Sequence, residues 1–345
     1  MNKETVTSLI ENGIYFLDHA KDNIEKDLKL ALVTFWTGVE ILLKVPIANE
    51  HWNLLITSKK RNEININAFK KGAFNSITFD ETVKILGNIL NNPIPKDSLI
   101  HLDKVKKHRN KIIHFHNDEI INSQEETKKE LANAWFALHS FIINWKFLFK
   151  TDGVYNPLNR LDYFLLNNNK YYIEAKFNSV RNYLDEIIKE GTEVQQCSYC
   201  NKKSLVFNFN NDIQNIYNGS CSVCNKITVS FKFNCLSCNS ENYFSNYSDS
   251  VSCKSCGYLN DKEEYFNTLY ELDNYNHFVY TGCCECMTED SVIELNSKYI
   301  CKNCLQIFDE VNTCDCCQYR STYVQHDSYY LGCEFCNGRE YDEDD

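Results

Sequence analysis

Eight pairs of cysteines with the spacing C-x-x-C constrain the fold of this 345-residue chain more than any other feature. They contain 16 of its 18 cysteines, and the first 196 residues contain none. The pairs are Cys197/Cys200, Cys221/Cys224, Cys235/Cys238, Cys253/Cys256, Cys283/Cys286, Cys301/Cys304, Cys314/Cys317 and Cys333/Cys336. This distribution predicts a domain boundary just before Cys197.

Taken two at a time, the pairs form four internal repeats. The gaps between the inner cysteines of each repeat are 20, 14, 14 and 15 residues, which is typical of structural zinc sites made of four thiolates. Short apolar runs, such as residues 205–209 and 227–233, lie between the cysteine pairs and have the character of strands. The repeats resemble zinc ribbons, predicted at residues 193–228, 231–262, 279–308 and 311–339.

The beginning of the chain favours a cytoplasmic protein whose thiols stay reduced. Charged residues appear early, at Lys3, Glu4 and Glu11, and the most apolar stretch, residues 31–43, is short and contains Glu40. We therefore expect neither a signal peptide nor a membrane span. In a reducing compartment, cysteines at these spacings indicate metal ligation rather than disulfides.

Four thiolates complete a tetrahedral zinc ion and leave no position open for water. We therefore expect four Zn²⁺ ions that stabilise the fold, and no catalytic metal. Cys284 and Cys316 each lie inside a pair, beside a better-spaced ligand, and are predicted to be spare thiols. Exchange of a spare thiol with a ligand remains an alternative.

Charge is divided unequally along the chain. Residues 1–150 carry 21 basic and 18 acidic side chains, whereas the rest carries 15 and 29. Residues 340–345 include five acids and are predicted to be a solvated tail. The acidic excess favours a protein trigger or partner at the ribbons over nucleic acid, although Lys202 and Lys203 form a local basic patch that keeps nucleic-acid binding as an alternative.

The region without cysteines has the pattern of a helical bundle. Leu28, Leu32, Phe35, Val39 and Leu42 recur at helical spacing, and a second apolar stripe on the same segment predicts a central helix. Further helices are predicted at residues 8–20, 79–91, 97–116 and 124–149, with a helical connector over residues 151–192. The predicted fold is therefore multidomain: an all-α bundle at residues 1–150, followed by an array of small β zinc ribbons.

One helical segment carries a candidate catalytic motif, R-N-x-x-x-H, at Arg109, Asn110 and His114. Arg109 falls near an apolar stripe and needs a carboxylate partner or a cleft, and Glu40 is the candidate partner. Two copies of this helix around a two-fold axis could bring Arg and His side chains to one phosphate. The Arg side chains would then stabilise charge and the His side chains would act as general acid and base.

The motif, the bundle and the segment from Gly38 to Lys44 resemble the HEPN superfamily. The resemblance covers residues 1–150 and implies a metal-independent endoribonuclease and homodimer. Such an enzyme cleaves RNA by attack of the 2′-hydroxyl and leaves a 2′,3′-cyclic phosphate, often in bacterial antiphage defence or toxin systems. The resemblance assigns the catalytic positions to Arg109, Asn110 and His114. His116 is a rival for the acid/base role, because the longer spacing from Arg109 to His116 also fits the signature of the family.

Other residues near the motif have two interpretations. Lys104, Lys106, Lys107 and Lys111 are candidate RNA-binding residues or a solvated helix face. His101 and His108 are predicted to be surface residues. For the whole chain, the alternatives are a non-catalytic, antitoxin-like scaffold, a nucleic-acid-binding regulator that acts through the ribbons, and an acidic mimic that occupies the bundle's own basic cleft.

Overall fold

The computed structural model describes residues 3–115, 123–143, 145, 156–209, 215–246, 248–271, 281–295 and 297–338. The chain divides into two compact units, Met1–Asn182 and Tyr183–Asp345. The first unit is helical, and the second is rich in β-structure and contains four clusters of four cysteines. This arrangement confirms the predicted order of a helical region followed by a cysteine-rich β region.

The described α-helices before the first cysteine are α1 Lys3–Asn23, α2 Leu28–Glu50, α3 Ile66–Lys70, α4 Phe79–Asn88, α5 Lys96–His114, α6 Gln124–Ile142, α7 Pro157–Asn168 and α8 Lys170–Lys189. The predicted helices are present, although α1 begins five residues earlier than predicted, the helix predicted over residues 124–149 ends at Ile142, and the short helix Ile66–Lys70 was not predicted. Local capping explains several starts: Asp27 accepts a hydrogen bond from the N–H of Leu30 at 3.0 Å, and Thr78 and Glu81 form a capping box.

Helix α2 is the central helix of this unit, as its two apolar stripes predict. Leu32, Phe35, Val39, Leu42 and Leu43 are fully buried in the core. Gly38 permits α1 to approach, because a Cβ at this position would lie 2.8 Å from Leu17 Cδ2 and 3.1 Å from the carbonyl oxygen of Gly13. A larger residue would force the two helices apart.

Helix α2 extends beyond residues 31–43, the apolar stretch that was judged too short to cross a membrane. Its length and composition pass the test for a membrane-crossing helix, with a mean hydropathy of 1.6 over its most apolar stretch. Of that stretch, 61% is buried inside the structure, as in the core helix of a packed bundle.

The helical core extends past residue 150, the end of the predicted bundle. Leu158, Leu161 and Leu165 of α7 and Tyr172 of α8 are buried in the same core as α2. The segment predicted to be a connector therefore contributes its apolar face to the packing of the helical unit.

The second unit is built from short strands. They are β1 Val194–Gln196, β2 Lys203–Phe209, β3 Ile216–Cys221, β4 Ile227–Asn234, β5 Glu241–Ser245, β6 Ser250–Ser252, β7 Leu259–Asp261, β8 Thr281–Gly282, β9 Val292–Leu295, β10 Lys298–Cys301, β11 Ile307–Phe308, β12 Asn312–Thr313 and β13 Arg320–Ser321. Two short helices complete it, α9 Lys262–Glu271 and α10 Ser328–Leu331.

Strands β1 to β5 form one antiparallel sheet in sequence order. Strand β4 runs from the second cysteine pair to the third, across the predicted division between the first two ribbons. Strands β9 to β11 form a further sheet, β12, β13 and β8 form another, and β6 pairs with β7. The first two cysteine clusters are therefore joined by a continuous strand.

One apolar core connects the first three repeats. Phe231 and Phe244 of the five-stranded sheet share it with Phe266 of α9 and with Ile293 and Ile300 of β9 and β10. The third and fourth repeats are joined by the parallel pairing of β8 with β13.

Candidate functional site

The 16 paired cysteines form four groups, each combining the two pairs of one predicted repeat. Within each group the four Sγ atoms lie within 4.8 Å of one another, and none of the 18 cysteines, all of which the structure describes, forms a disulfide. The groups are Cys197, Cys200, Cys221 and Cys224; Cys235, Cys238, Cys253 and Cys256; Cys283, Cys286, Cys301 and Cys304; and Cys314, Cys317, Cys333 and Cys336. The predicted ligand sets are thus brought together, and each set could hold a metal ion.

The distances between sulfurs test whether one ion fits inside each group. Sγ atoms are 3.6 Å apart for Cys197 and Cys224 and for Cys283 and Cys304, and 3.7 Å apart for Cys317 and Cys333. A tetrahedral ion bound to sulfur at about 2.3 Å places its sulfurs about 3.8 Å apart. In the remaining group, Cys235 and Cys256 are 3.8 Å apart and Cys238 and Cys253 are 3.6 Å apart. These separations fit one tetrahedral metal ion in each group, whereas a disulfide requires a sulfur separation of about 2.05 Å.

Seven of the eight pairs share one backbone turn. In each, the N–H of the first cysteine donates to the carbonyl oxygen five residues later, as from Cys197 to Lys202 at 2.8 Å and from Cys301 to Gln306 at 3.0 Å. The residue after the second cysteine of these pairs has a positive φ. The pair Cys333/Cys336 differs, since left-handed Gly332 and Gly338 flank it.

The left-handed position explains several residue choices and identifies three less favourable ones. Asn201, Asn225, Asn239 and Gly257 occupy it in the first two repeats, and Asn and Gly tolerate this conformation best. In the third and fourth repeats the same position holds Met287, Leu305 and Gln318, with φ values of 56°, 60° and 62°. Met287 is 56% exposed. Because more than half of Met287 is exposed, packing of its side chain offsets less of the backbone strain than packing of the buried Leu305 side chain does.

Replacing Met287 with glycine is expected to stabilise the second unit by about 1 kcal/mol, because glycine adopts a positive φ without the clash of a Cβ. The measurement is the urea midpoint of the metal-loaded protein. Met287→Ala is the matched control, since it removes the same exposed side chain but keeps the Cβ. Equal midpoints for the two variants would contradict the strain argument.

Hydrogen bonds to sulfur favour the thiolate form that a metal requires. The N–H of Cys304 donates to Cys301 Sγ at 3.4 Å, and the N–H of Ser255 donates to Cys253 Sγ at 3.4 Å. The hydroxyl of Ser240, followed by backbone N–H groups, lowers the pKa of Cys253 to about 5. These donors belong to the turns themselves, so the backbone that positions the sulfurs also supports their charge.

The two cysteines outside the four groups are partly exposed. Cys284 is hydrogen-bonded to Thr322. The Thr322 hydroxyl donates to Cys284 Sγ at 3.1 Å and accepts a hydrogen bond from the Cys284 N–H at 3.0 Å. Cys316 lies between Cys314 and Cys317 in the chain but is not a member of their group. The grouping places both spare thiols outside the ligand sets.

The Arg-His motif occupies the last turns of α5. Arg109 is half-buried, and its Nη1 donates to Asn110 Oδ1 at 3.1 Å. The Nε of Arg109 is buried and makes no hydrogen bond among the residues that the structure describes. His114 is exposed and is the last residue of the helix, and Asn110 is exposed one turn before it.

Two residues were predicted to assist the motif: Glu40 as the partner of Arg109, and His116 as the rival of His114. Glu40 is half-buried on α2, and the ion pairs within the described parts of the chain do not include one between Glu40 and Arg109. His116 lies outside the described residues. The pairing with Glu40 and the choice between His114 and His116 stay predictions.

Ion pairs involve several of the candidate RNA-binding lysines. Lys104 contacts Glu130 at 3.0 Å, Lys106 contacts Asp80 at 2.8 Å and Lys107 contacts Asp103 at 2.8 Å, and Lys111 is exposed. Each carboxylate offsets part of the positive field that the sequence pattern indicates.

His108 is not the surface residue that the sequence analysis predicts. Its side chain is 16% exposed, and its Nε2 lies 2.6 Å from Glu130 Oε2 on α6. Burial acts to raise the pKa of Glu130, but hydrogen bonds from His108 and Lys104 outweigh it and hold that pKa below its usual value. The contact between His108 and Glu130 joins two helices, so the sequence alone does not reveal it. The one signal in the sequence is that His108 lies one helical turn after Lys104 and therefore on the same face of α5.

Comparisons with known proteins add no relative: no family model, curated protein or solved structure matches this chain.

Proposed function

We propose that the protein is a metal-independent endoribonuclease of the HEPN type, in which Arg109, Asn110 and His114 act on RNA. The observation that carries the proposal is the clustering of these side chains on the last turns of α5, with Asn110 and His114 exposed and Arg109 hydrogen-bonded to Asn110. An imidazole and a guanidinium at one exposed helix end suit acid-base chemistry on a phosphodiester.

In the proposed reaction, one His114 takes the proton from the ribose 2′-hydroxyl, and the 2′-oxygen forms a bond to phosphorus. The bond from phosphorus to the 5′-oxygen breaks, and that oxygen receives a proton from the second His114 of a dimer. Arg109 stabilises the negative charge on the non-bridging oxygens, and Asn110 orients Arg109 through their hydrogen bond. The products are a 2′,3′-cyclic phosphate and a 5′-hydroxyl.

A second copy of the chain is proposed to complete this site. Ile113 and Phe115, which are 47% and 76% exposed, lie on either side of His114 in the chain. We propose that a second copy of the chain covers these two apolar side chains. A dimer formed there would bring two motifs together.

The four cysteine groups are proposed to hold Zn²⁺, because four thiolates with tetrahedral spacing suit this ion. Bound zinc would cross-link strands and turns and would take no part in RNA cleavage. We propose that the cysteine-rich unit recognises a trigger, partner or target RNA and so directs the nuclease in the cytoplasm, in antiphage defence or a toxin system.

Cleavage products test the proposed reaction. Purified protein is expected to cut RNA into fragments with 2′,3′-cyclic phosphate and 5′-hydroxyl ends, detected by mass spectrometry. The same RNA with 2′-O-methyl ribose is the matched control and is expected to stay intact, because the attacking hydroxyl is blocked. Cutting of the methylated RNA, or products with 3′-hydroxyl ends, would contradict attack by the 2′-hydroxyl.

A non-catalytic scaffold is the second candidate, favoured by the three lysines already paired with carboxylates near the motif. In that case the helical unit only dimerises and the cysteine-rich unit holds a partner. A purified dimer that leaves every tested RNA intact would support this function.

A further inference from the structure

The five-stranded sheet of the cysteine-rich unit is strongly curled. The rings of Phe207 on β2 and Tyr243 on β5 are stacked with centroids 5.7 Å apart, although these strands are three positions apart in the sheet. In a flat sheet they would be about 14 Å apart. The hydroxyl of Tyr243 also donates to Glu193 Oε2, just before β1, at 2.5 Å. The two edge strands, β1 and β5, therefore face each other.

A groove of about 490 Å³ lies between these edges. Most of the residues that line it are polar or charged: Gln195 from β1, Lys203 from β2, Asn242 and Tyr243 from β5, and Lys254 from the turn of the Cys253/Cys256 pair. Two carboxylates, Glu193 and Glu241, also line it. A polar groove of this size can accommodate one nucleotide unit of a larger ligand.

The carboxylates of the groove are satisfied within the protein. Glu193 accepts hydrogen bonds from Tyr243 at 2.5 Å and from the Gln195 side chain at 2.8 Å. Glu241 pairs with Lys232 at 2.6 Å. The ammonium groups of Lys203 and Lys254 are exposed and have no ion pair or hydrogen bond to other described residues. Lys203 and Lys254 are therefore the charged groups of the groove that remain available to an anionic ligand.

The acidic excess of this unit lies elsewhere in the sequence. Residues 193–258 contain five basic and four acidic side chains, whereas residues 259–345 contain five and 19. Each metal-loaded group adds a formal charge of about −2. The groups that contain Cys200 and Cys253, close in sequence to Lys203 and Lys254, together add about −4 when loaded. An anionic ligand would therefore bind here through direct contact with the two ammonium groups and not through the net charge of the region.

We propose that this groove binds a nucleotide phosphate, most readily within a single-stranded nucleic acid. Lys203 and Lys254 contact the phosphate groups, and Tyr243, held by stacking on Phe207, offers a flat surface to a base. This site is separate from the Arg-His motif and does not depend on the nuclease proposal. It assigns to the cysteine-rich unit a role in capturing nucleic acid.

A single-stranded oligodeoxyribonucleotide tests the proposal independently of RNA cleavage, because DNA lacks the 2′-hydroxyl that the proposed cleavage requires. Fluorescence anisotropy with labelled dT10 measures its affinity for the full-length, metal-loaded protein across a series of salt concentrations. The variant is Lys203→Gln with Lys254→Gln. The matched control, Lys226→Gln with Lys298→Gln, removes the same charge from the same unit outside this groove.

Loss of two phosphate contacts is expected to reduce the slope of log K against log salt by about 1.4, and to weaken binding at 50 mM salt roughly 10- to 100-fold. The control variant is expected to keep most of the wild-type slope. Unlabelled competitors identify the natural form of the ligand. Displacement of labelled dT10 by thymidine monophosphate as readily as by unlabelled dT10 would assign the site to free nucleotides, and displacement by dT10 alone would assign it to a strand.

Three results would overturn the proposal. The first is absence of binding by wild-type protein at low salt, and the second is an equal loss in the groove and control variants. The third is binding of an acidic peptide through Lys203 and Lys254 in preference to the oligonucleotide, which would make the groove a peptide site.

Discussion

Alanine at Arg109 or at His114 is expected to abolish RNA cleavage while leaving the fold and the dimer intact. Loss of a general acid and base costs about 100- to 10,000-fold in rate, and loss of a charge-stabilising donor costs about 100- to 1,000-fold. Because His114 is exposed at the end of α5, its replacement removes little packing. The measurement is the single-turnover cleavage rate of RNA.

Two variants control for the loss of a histidine or an arginine elsewhere in the helical unit. His19→Ala and Arg160→Ala replace exposed residues on α1 and α7, and both are expected to cleave at the wild-type rate. Size-exclusion mass and metal content should be the same for all five proteins. Cleavage that persists in both Arg109→Ala and His114→Ala would remove the basis for this active site.

Asn110→Ala separates positioning from chemistry at the same site. Asn110 accepts the Arg109 Nη1 hydrogen bond at 3.1 Å, so its loss is expected to lower the rate less than the loss of Arg109. If the two share one role, the double variant should be no slower than Arg109→Ala, since effects within one hydrogen-bonded unit are not additive.

The cysteine groups were predictable from sequence because the constraint is local. Two cysteines separated by two residues fit one turn, and the spacing between turns restricts which pairs can share an ion. Asn201 and Gly257 are further local signals, since the turn needs a left-handed residue after its second cysteine. The sequence therefore predicts the ligand sets without knowledge of the tertiary fold.

Features that depend on tertiary contact were not predictable in this way. The apolar run in β4 fits an isolated ribbon, and only its pairing with β5 past the third cysteine pair joins two ribbons into one sheet. The contact between His108 and Glu130 links helices across 22 residues. Leu158 and Leu161 show a helical stripe, but the sequence does not reveal that they pack on the bundle core.

Serine at Cys301 is expected to lower the metal content from four ions to three and to unfold much of the second unit. Cys301 is fully buried beside Val292 and Cys304, and β9 and β10 pair directly beside it. A structural zinc site contributes an apparent 10–16 kcal/mol, roughly, in small zinc domains at neutral pH. Losing one thiolate should therefore cost several kcal/mol of unfolding free energy.

Cys284→Ser is the matched control, because Cys284 lies beside Cys283 in the chain but outside the four groups. It is expected to retain four metal ions per chain and a wild-type thermal midpoint. Mass spectrometry measures the metal content of each variant, and near-ultraviolet circular dichroism measures the unfolding. A chelator should reproduce the loss in wild-type protein, yet leave the far-ultraviolet helical signal, since the first 196 residues contain no cysteine. Loss of an ion from Cys284→Ser, or four ions in Cys301→Ser, would assign the ligands differently.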